Sequence, residues 1–220
     1  MIITLQNQKG GVGKTTLSLH LAHHYTRQGL RVLVVDADPQ GSARDWLQAR
    51  ETAAPFALVG LDRPTIHRDI EQMRANYDLI IIDSPPRVTD IARSSILAAD
   101  LVVIPVQPSP LDVWAAQDTV RLIADAVVYK ENLKSVFAIN REIVHTAIGR
   151  DVTEALAQSA LPVLTAHIAQ RVAFAESLAH GQTVFETRSD AKAIAEIEAL
   201  GNELLDLLRS PDSEFFRRPT

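Results

Sequence analysis

Gln8-Lys9-Gly10-Gly11-Val12-Gly13-Lys14-Thr15-Thr16 follows a short apolar run, Met1–Leu5, and precedes a helix-like segment, Leu17–Arg27. Strand, glycine loop and helix form the setting in which a chain cradles phosphate. Gly10, Gly11 and Gly13 let successive backbone N–H groups turn inward around anionic oxygens, where a Cβ would obstruct them. The helix that follows adds the positive end of its dipole. Lys14 can reach the β- and γ-phosphates of a nucleoside triphosphate, and the Thr15 hydroxyl can sit on Mg²⁺. The spacing matches G-x-x-x-x-G-K-[ST] except at its start, where Gln8 replaces the first glycine and Lys9 adds a second cation.

Downstream, apolar runs alternate with helical periods. Strands are expected at 31–36, 56–59, 78–83, 101–106, 134–139 and 163–168. Helices are expected at about 41–50, 65–75, 89–98, 112–129, 147–159, 172–179 and 189–209. Unbroken Val and Ile runs suit parallel strands covered on both faces. The alternation predicts one α/β domain over 1–209, a doubly wound, mainly parallel sheet of the P-loop NTPase type, and a loose tail at 210–220.

Composition narrows the function. The 220 residues include no cysteine, which excludes a thiolate-held iron–sulfur cluster and fits a reducing cytoplasm. No apolar run approaches the ~20 residues of a membrane span, and the first residues lack a signal-peptide pattern. A net charge of −5 gives no global attraction to nucleic acid or anionic lipid, so either partner needs a local basic patch.

Two acidic stretches lie where strands end. Asp36-Ala37-Asp38-Pro39-Gln40 closes the second expected strand, on the same sheet edge as the phosphate loop. Ile80-Ile81-Ile82-Asp83-Ser84-Pro85-Pro86 carries one carboxylate to another strand end, where it can hold a magnesium-bound water. Trp114 and Val113 open an amphipathic helix and are expected in the core.

The run KGGVGKTT resembles the deviant Walker A loop of the ParA/MinD family of ATPases. Asp-x-Asp-Pro-Gln and Asp-Ser-Pro-Pro are similar to that family's two acidic motifs, and Pro105–Ala115 to a segment of its short ParA proteins. Gln170–Ser177 with Gly181–Phe185 is similar to a further ParA segment. The resemblance covers Met1 to about Leu208. It implies ATP and Mg²⁺ as cofactors, with Lys9, Gly10, Gly11, Val12, Gly13, Lys14, Thr15 and Thr16 around the phosphates. Lys9 would reach across a homodimer to the partner's nucleotide, and Asp38 would orient the attacking water. Thr15, Asp36 and Asp83 would form the magnesium shell, and Asn140 and Arg141 the adenine contact.

Partition of a plasmid or chromosome is the implied function, with non-specific DNA and a centromere-binding ParB-like protein as partners and the prokaryotic nucleoid as location. Alternatives are the same engine moving a non-DNA cargo, a MinD-like division-site regulator, and an ATP-dependent ligase. Arg171, Arg188, Lys192 and Arg209 are the candidate DNA contacts, although from Arg141 onward eight basic residues face twelve acidic ones. A solvated helix face remains an alternative for each of them. The polar face of the last helix is acidic and Phe215-Phe216-Arg217-Arg218 is short, so no stable membrane anchor is expected.

Overall fold

Apolar runs with no polar alternation must be covered on both faces, and the chain achieves this in one parallel sheet. A computed structural model of the protein describes residues 1–87, 89–143, 152, 154–156, 158–159 and 161–210. Its strands are β1 (Ile2–Leu5), β2 (Val32–Asp36), β3 (Ala57–Gly60), β4 (Leu79–Asp83), β5 (Leu101–Val106), β6 (Lys134–Glu142) and β7 (Ile168–Ala169). They lie in the order β3-β2-β4-β1-β5-β6-β7, every pair parallel. The described helices are α1 (Lys14–Arg27), α2 (Ser42–Gln48), α3 (Ile66–Asp69), α4 (Thr89–Ala98), α5 (Pro110–Val127), α6 (Val172–Ala179), α7 (Val184–Thr187) and α8 (Ala191–Arg209).

Because β1 lies between β4 and β5, the connections diverge on either side of its carboxyl end. That crevice is where open α/β sheets take their ligands. On one face Ile3, Leu5, Ile81 and Val103 pack against Leu17, Leu21, Phe174 and Ile197 of α1, α6 and α8. On the other, Val102 and Ile104 meet α4 and α5, while Ile2 and Ile80 meet α3. Helices α1 and α8 approach closely at Gly201, whose carbonyl accepts the Tyr25 hydroxyl at 2.8 Å. A Cβ on Gly201 would collide with the His24 ring.

Several expected elements differ. The segment 163–168 keeps an isolated bridge from Val163 to Phe137 and then only the two residues of β7. Glu203 explains this, because its carboxylate accepts the N–H groups of Thr165 and Ala166 at 2.8 and 2.9 Å and draws that backbone out of the ladder. The helix expected at 65–75 is one turn followed by two 3₁₀ turns. The helix expected at 147–159 falls largely outside the described residues, as does the tail beyond Ser210. Trp114 is not in the core: it is 68% exposed and Leu111 is 64% exposed, while Asp112, Ala116, Thr119 and Ile123 form the buried stripe of α5.

Candidate nucleotide-binding site

The glycine loop leaves β1 and is fixed from several directions before α1 begins. Gly11 and Gly13 take φ of 77° and 93°, the left-handed region that residues with a Cβ avoid. The Asn7 side chain accepts the Lys9 N–H at 2.9 Å and donates to the Pro105 carbonyl at 2.8 Å. Gln107 donates to the Gly11 carbonyl at 2.9 Å, and the Thr119 hydroxyl accepts the Gln8 N–H at 3.1 Å. Asn140, at the end of β6, donates its amide to the Val12 carbonyl at 2.7 Å. It packs so closely on Gly13 that any Cβ there would strike it.

Asn140 was expected at the adenine, and in the structure it also has a second contact. It is 3% exposed and donates one amide N–H to the loop, so it braces the phosphate cradle. Its neighbour Arg141 turns into the cleft at φ 55°, where β6 shifts register against β7.

Lys14 lies inside the cradle, its ammonium donating to the carbonyls of Asn7 and Lys9 at 3.1 and 3.3 Å. Burial lowers its pKa, opposed by the charges of Asp83 and Asp38. Lys9 folds back within its own chain, 2.8 Å from the Asp112 carboxylate at the start of α5.

Asp83 is buried beside the loop, and desolvation pushes its pKa up to about 7 against the pull of the Thr15 hydroxyl. Ser18 donates to one of its oxygens at 3.5 Å, and the other, Oδ2, has no hydrogen-bond partner. A buried carboxylate oxygen left without a donor is costly. A magnesium-bound water beside the Thr15 hydroxyl would satisfy it, so these residues fit the ion. Among the described residues no cluster of three His, Asp or Glu side chains could hold a metal alone. The phosphates and waters must therefore complete the shell.

Asp36, expected near the magnesium shell, holds the turn that follows β2. One of its oxygens accepts the Asp38 N–H at 3.2 Å; the other accepts the backbone N–H and Nε of Arg44 at 3.0 and 3.3 Å. Burial raises its pKa and Arg44 opposes the shift. The carboxylate thus organises the turn from Asp38 to Gly41, and that turn presents Asp38 to the cleft. The cleft, of about 550 Å³, is lined by Gly10, Lys14, Thr15, Asp38, Pro86 and Arg141 and extends along α2 to Trp46.

Of the candidate DNA contacts, Arg171, Arg188 and Lys192 lie around Asp190, and Arg209 is far from them. Arg171 is bound by Glu196 at 2.6 Å and Asp190 at 3.4 Å, which offset its charge. Arg188 and Lys192 are exposed at the junction of α7 and α8, whereas Arg209 ends α8, about 26 Å along the helix from Lys192. No helix among the described residues is long and apolar enough to cross a membrane.

Asn7 adjoins the loop and could have been singled out from the sequence. Gln107 and Asp112 lie in the Pro105–Ala115 segment without a role assigned there, and Thr119 and Arg44 gave no local signal, because their roles depend on which loops the sheet order brings together.

Comparison with known proteins agrees with this geometry. Residues 3–184 match the model of the CobQ/CobB/MinD/ParA nucleotide binding domain. The chain is 30% identical over 207 residues to the maintenance of carboxysome distribution protein A of Halothiobacillus neapolitanus, covering 92% of this chain and 95% of that one. It is also 30% identical to the chromosome-partitioning ATPase Soj of Thermus thermophilus, covering 88% and 87% of the two chains. Among solved structures, cobyrinic acid a,c-diamide synthase from Mycobacterium smegmatis with ADP and magnesium superposes with a TM-score of 0.79 at 23% identity, over 99% of both chains. Cyanothece apo McdA superposes at 0.78 with 19% identity, over 92% and 98% of the two chains. The chain belongs to the CobQ/CobB/MinD/ParA nucleotide-binding family.

Proposed function

We propose that the chain is a ParA-type ATPase that binds Mg-ATP, closes into a dimer around two nucleotides, and uses that dimer to position a cargo. The observation that carries this reading is the pair of lysines on one glycine loop, Lys14 within the cradle and Lys9 at its mouth. A loop that only had to bind phosphate would need the first alone. Lys9 is held by a single carboxylate, Asp112, beside the exposed Leu111 and Trp114, which offer apolar surface for a second copy.

Thr15 and Asp83 would hold the magnesium ion, which when bound offsets charge on the phosphate oxygens. Asp38 would orient a water toward the γ-phosphorus. Asp36 contributes by holding the turn in place through Arg44. Lys14 would offset negative charge on the β- and γ-phosphates. Hydrolysis would be slow until a partner protein stimulates it.

A nearly full-length relation to a carboxysome distribution protein favours a protein assembly as the cargo. Movement of a plasmid or chromosome with a centromere-binding partner is the second reading, favoured by the similarity to Soj. Both readings place the dimer on the nucleoid through non-specific DNA contacts, for which Arg188 and Lys192 are the available cations and Arg171 the least available. Titration with a fluorescent ATP analogue tests the premise. Wild type should bind it with magnesium, and Lys14→Ala should lose both binding and turnover. Equal affinity in the two proteins would refute the reading.

A further inference from the structure

Three non-glycine residues among those described have positive φ, and all three are arginines: Arg87 at 60°, Arg141 at 55° and Arg188 at 51°. For a bulky residue this conformation is strained, because its Cβ crowds the backbone. Two of the three have a local explanation. Arg188 ends α7, its N–H donating to the Val184 carbonyl at 2.9 Å, as left-handed helix caps do. Arg141 occupies the irregularity between β6 and β7. Arg87 caps no helix end and sits in no bulge. It follows Pro85-Pro86, where glycine would adopt the same backbone without strain.

The Arg87 side chain is exposed and pairs with no carboxylate among the described residues. Its loop leaves β4 directly after Asp83, and Pro86 forms part of the cleft wall with Lys14 and Asp38. Beneath the loop, Ser84 Oγ and Gln6 Oε1 are buried without hydrogen-bond partners. The Gln6 amide reaches the Pro85 carbonyl only at 3.5 Å. The loop therefore holds strained backbone, two unsatisfied buried groups and an unpaired cation one residue beyond the cleft wall.

We infer that Arg87 reads the γ-phosphate: its guanidinium pairs with the terminal phosphoryl group of bound nucleoside triphosphate and stabilises that group during hydrolysis. This rests on the reading of the cleft as an ATP site. Within one chain Lys14 is the lysine inside the cradle, and Lys9 is engaged by Asp112. A planar guanidinium can donate two parallel N–H bonds to two phosphoryl oxygens at once, which an ammonium cannot match. In the reaction, water attacks the γ-phosphorus and the bond to the β–γ bridging oxygen breaks. ADP leaves with that electron pair; one proton of the water stays on the phosphate and the other goes to solvent. Arg87 contributes by offsetting charge on the equatorial oxygens, so it acts on ATP and not on ADP.

The test compares Arg87→Ala, Arg87→Lys and Arg87→Gly with wild type, using fluorescent ATP and ADP analogues, single-turnover hydrolysis and thermal melting. ADP affinity should stay within about twofold, the preference for ATP over ADP should fall, and turnover should drop roughly 100-fold. Arg87→Lys should recover part of the turnover. Arg87→Gly should melt at a higher temperature than wild type yet hydrolyse as poorly as Arg87→Ala. Wild-type turnover and ATP preference in Arg87→Ala would overturn the inference, as would a parallel loss of ADP and ATP affinity. A wild-type protein that binds no ATP would instead overturn the underlying reading, and this inference with it.

Discussion

His20 offers a quantitative test of how the phosphate loop's helix is anchored. It lies on α1 one turn beyond Thr16, fully buried, with Nδ1 2.7 Å from the Thr16 carbonyl and Nε2 3.4 Å from Ser177 Oγ. Its ring meets Phe174 edge-on at 5.1 Å. Burial lowers its pKa from 6.5 to about 4, the Thr16 carbonyl opposing and the nearby His23 adding to the shift. Because the folded value lies below the unfolded one, the unfolded chain takes up the proton first. Stability attributable to His20 is therefore intact above pH 6.5 and is lost as the pH falls toward 4. The loss amounts to about 2 kcal/mol at pH 5 and about 3 kcal/mol once both states are protonated.

Asp83, raised to about 7, contributes with the opposite sign, since its folded form takes up a proton first and gains stability as the pH falls. Wild type alone would therefore show only the sum. The stability difference between wild type and His20→Gln isolates the imidazole, because Asp83 is present in both. Glutamine can still donate to Thr16 and does not titrate. Urea unfolding at pH 7 and pH 5 should show this difference shifting by about 2 kcal/mol in favour of the variant at the lower pH. A difference constant to within a few tenths of a kcal/mol would mean that His20 is not buried neutral, and the packing of α1 against α6 would need revision.

Two further expectations concern charged side chains. Lys9→Ala should leave ADP affinity nearly unchanged and abolish ATP-driven dimerisation, while Asp112→Asn should free the lysine and let the dimer form at lower ATP; light scattering against nucleotide concentration separates these from a purely local role. Arg188→Glu with Lys192→Glu should weaken ATP-dependent, salt-sensitive shifts of random-sequence DNA at least tenfold. Arg171→Ala should act chiefly by lowering the melting temperature, because it leaves Glu196 and Asp190 without their common partner.

The sequence made legible whatever depends on neighbours along the chain. The glycine loop, the carboxylate closing β4 and the helices after β1, β2, β4 and β5 are local patterns, and each appears within a few residues of its expected place. Residues whose roles are set across the fold were not legible. Asn140 is at the predicted strand end, but the loop it braces is 128 residues away. Arg171 was read as an available cation because Glu196, its ion-pair partner, is 25 residues distant. Trp114 shows the limit of periodicity: a tryptophan on an amphipathic helix is assigned to the core by default. The buried stripe of α5 runs through Asp112, Ala116, Thr119 and Ile123, and Trp114 falls beside it. For Asp36 the resemblance implied a place in the magnesium shell. The turn from Asp38 to Gly41 returns Arg44 to that carboxylate, a contact the sequence did not show.

The most direct test of the central claim, a nucleotide-driven dimer, is the solution mass of Asp38→Ala with Mg-ATP and with Mg-ADP. Asp38 lines the cleft on a turn held by Asp36 and Arg44, so its removal should spare ATP binding and stop hydrolysis. The variant should then sediment at twice the monomer mass with Mg-ATP, for as long as ATP is present, and as a monomer with Mg-ADP. A variant that binds ATP yet remains a monomer at every concentration, or one that hydrolyses ATP at the wild-type rate, would contradict the account.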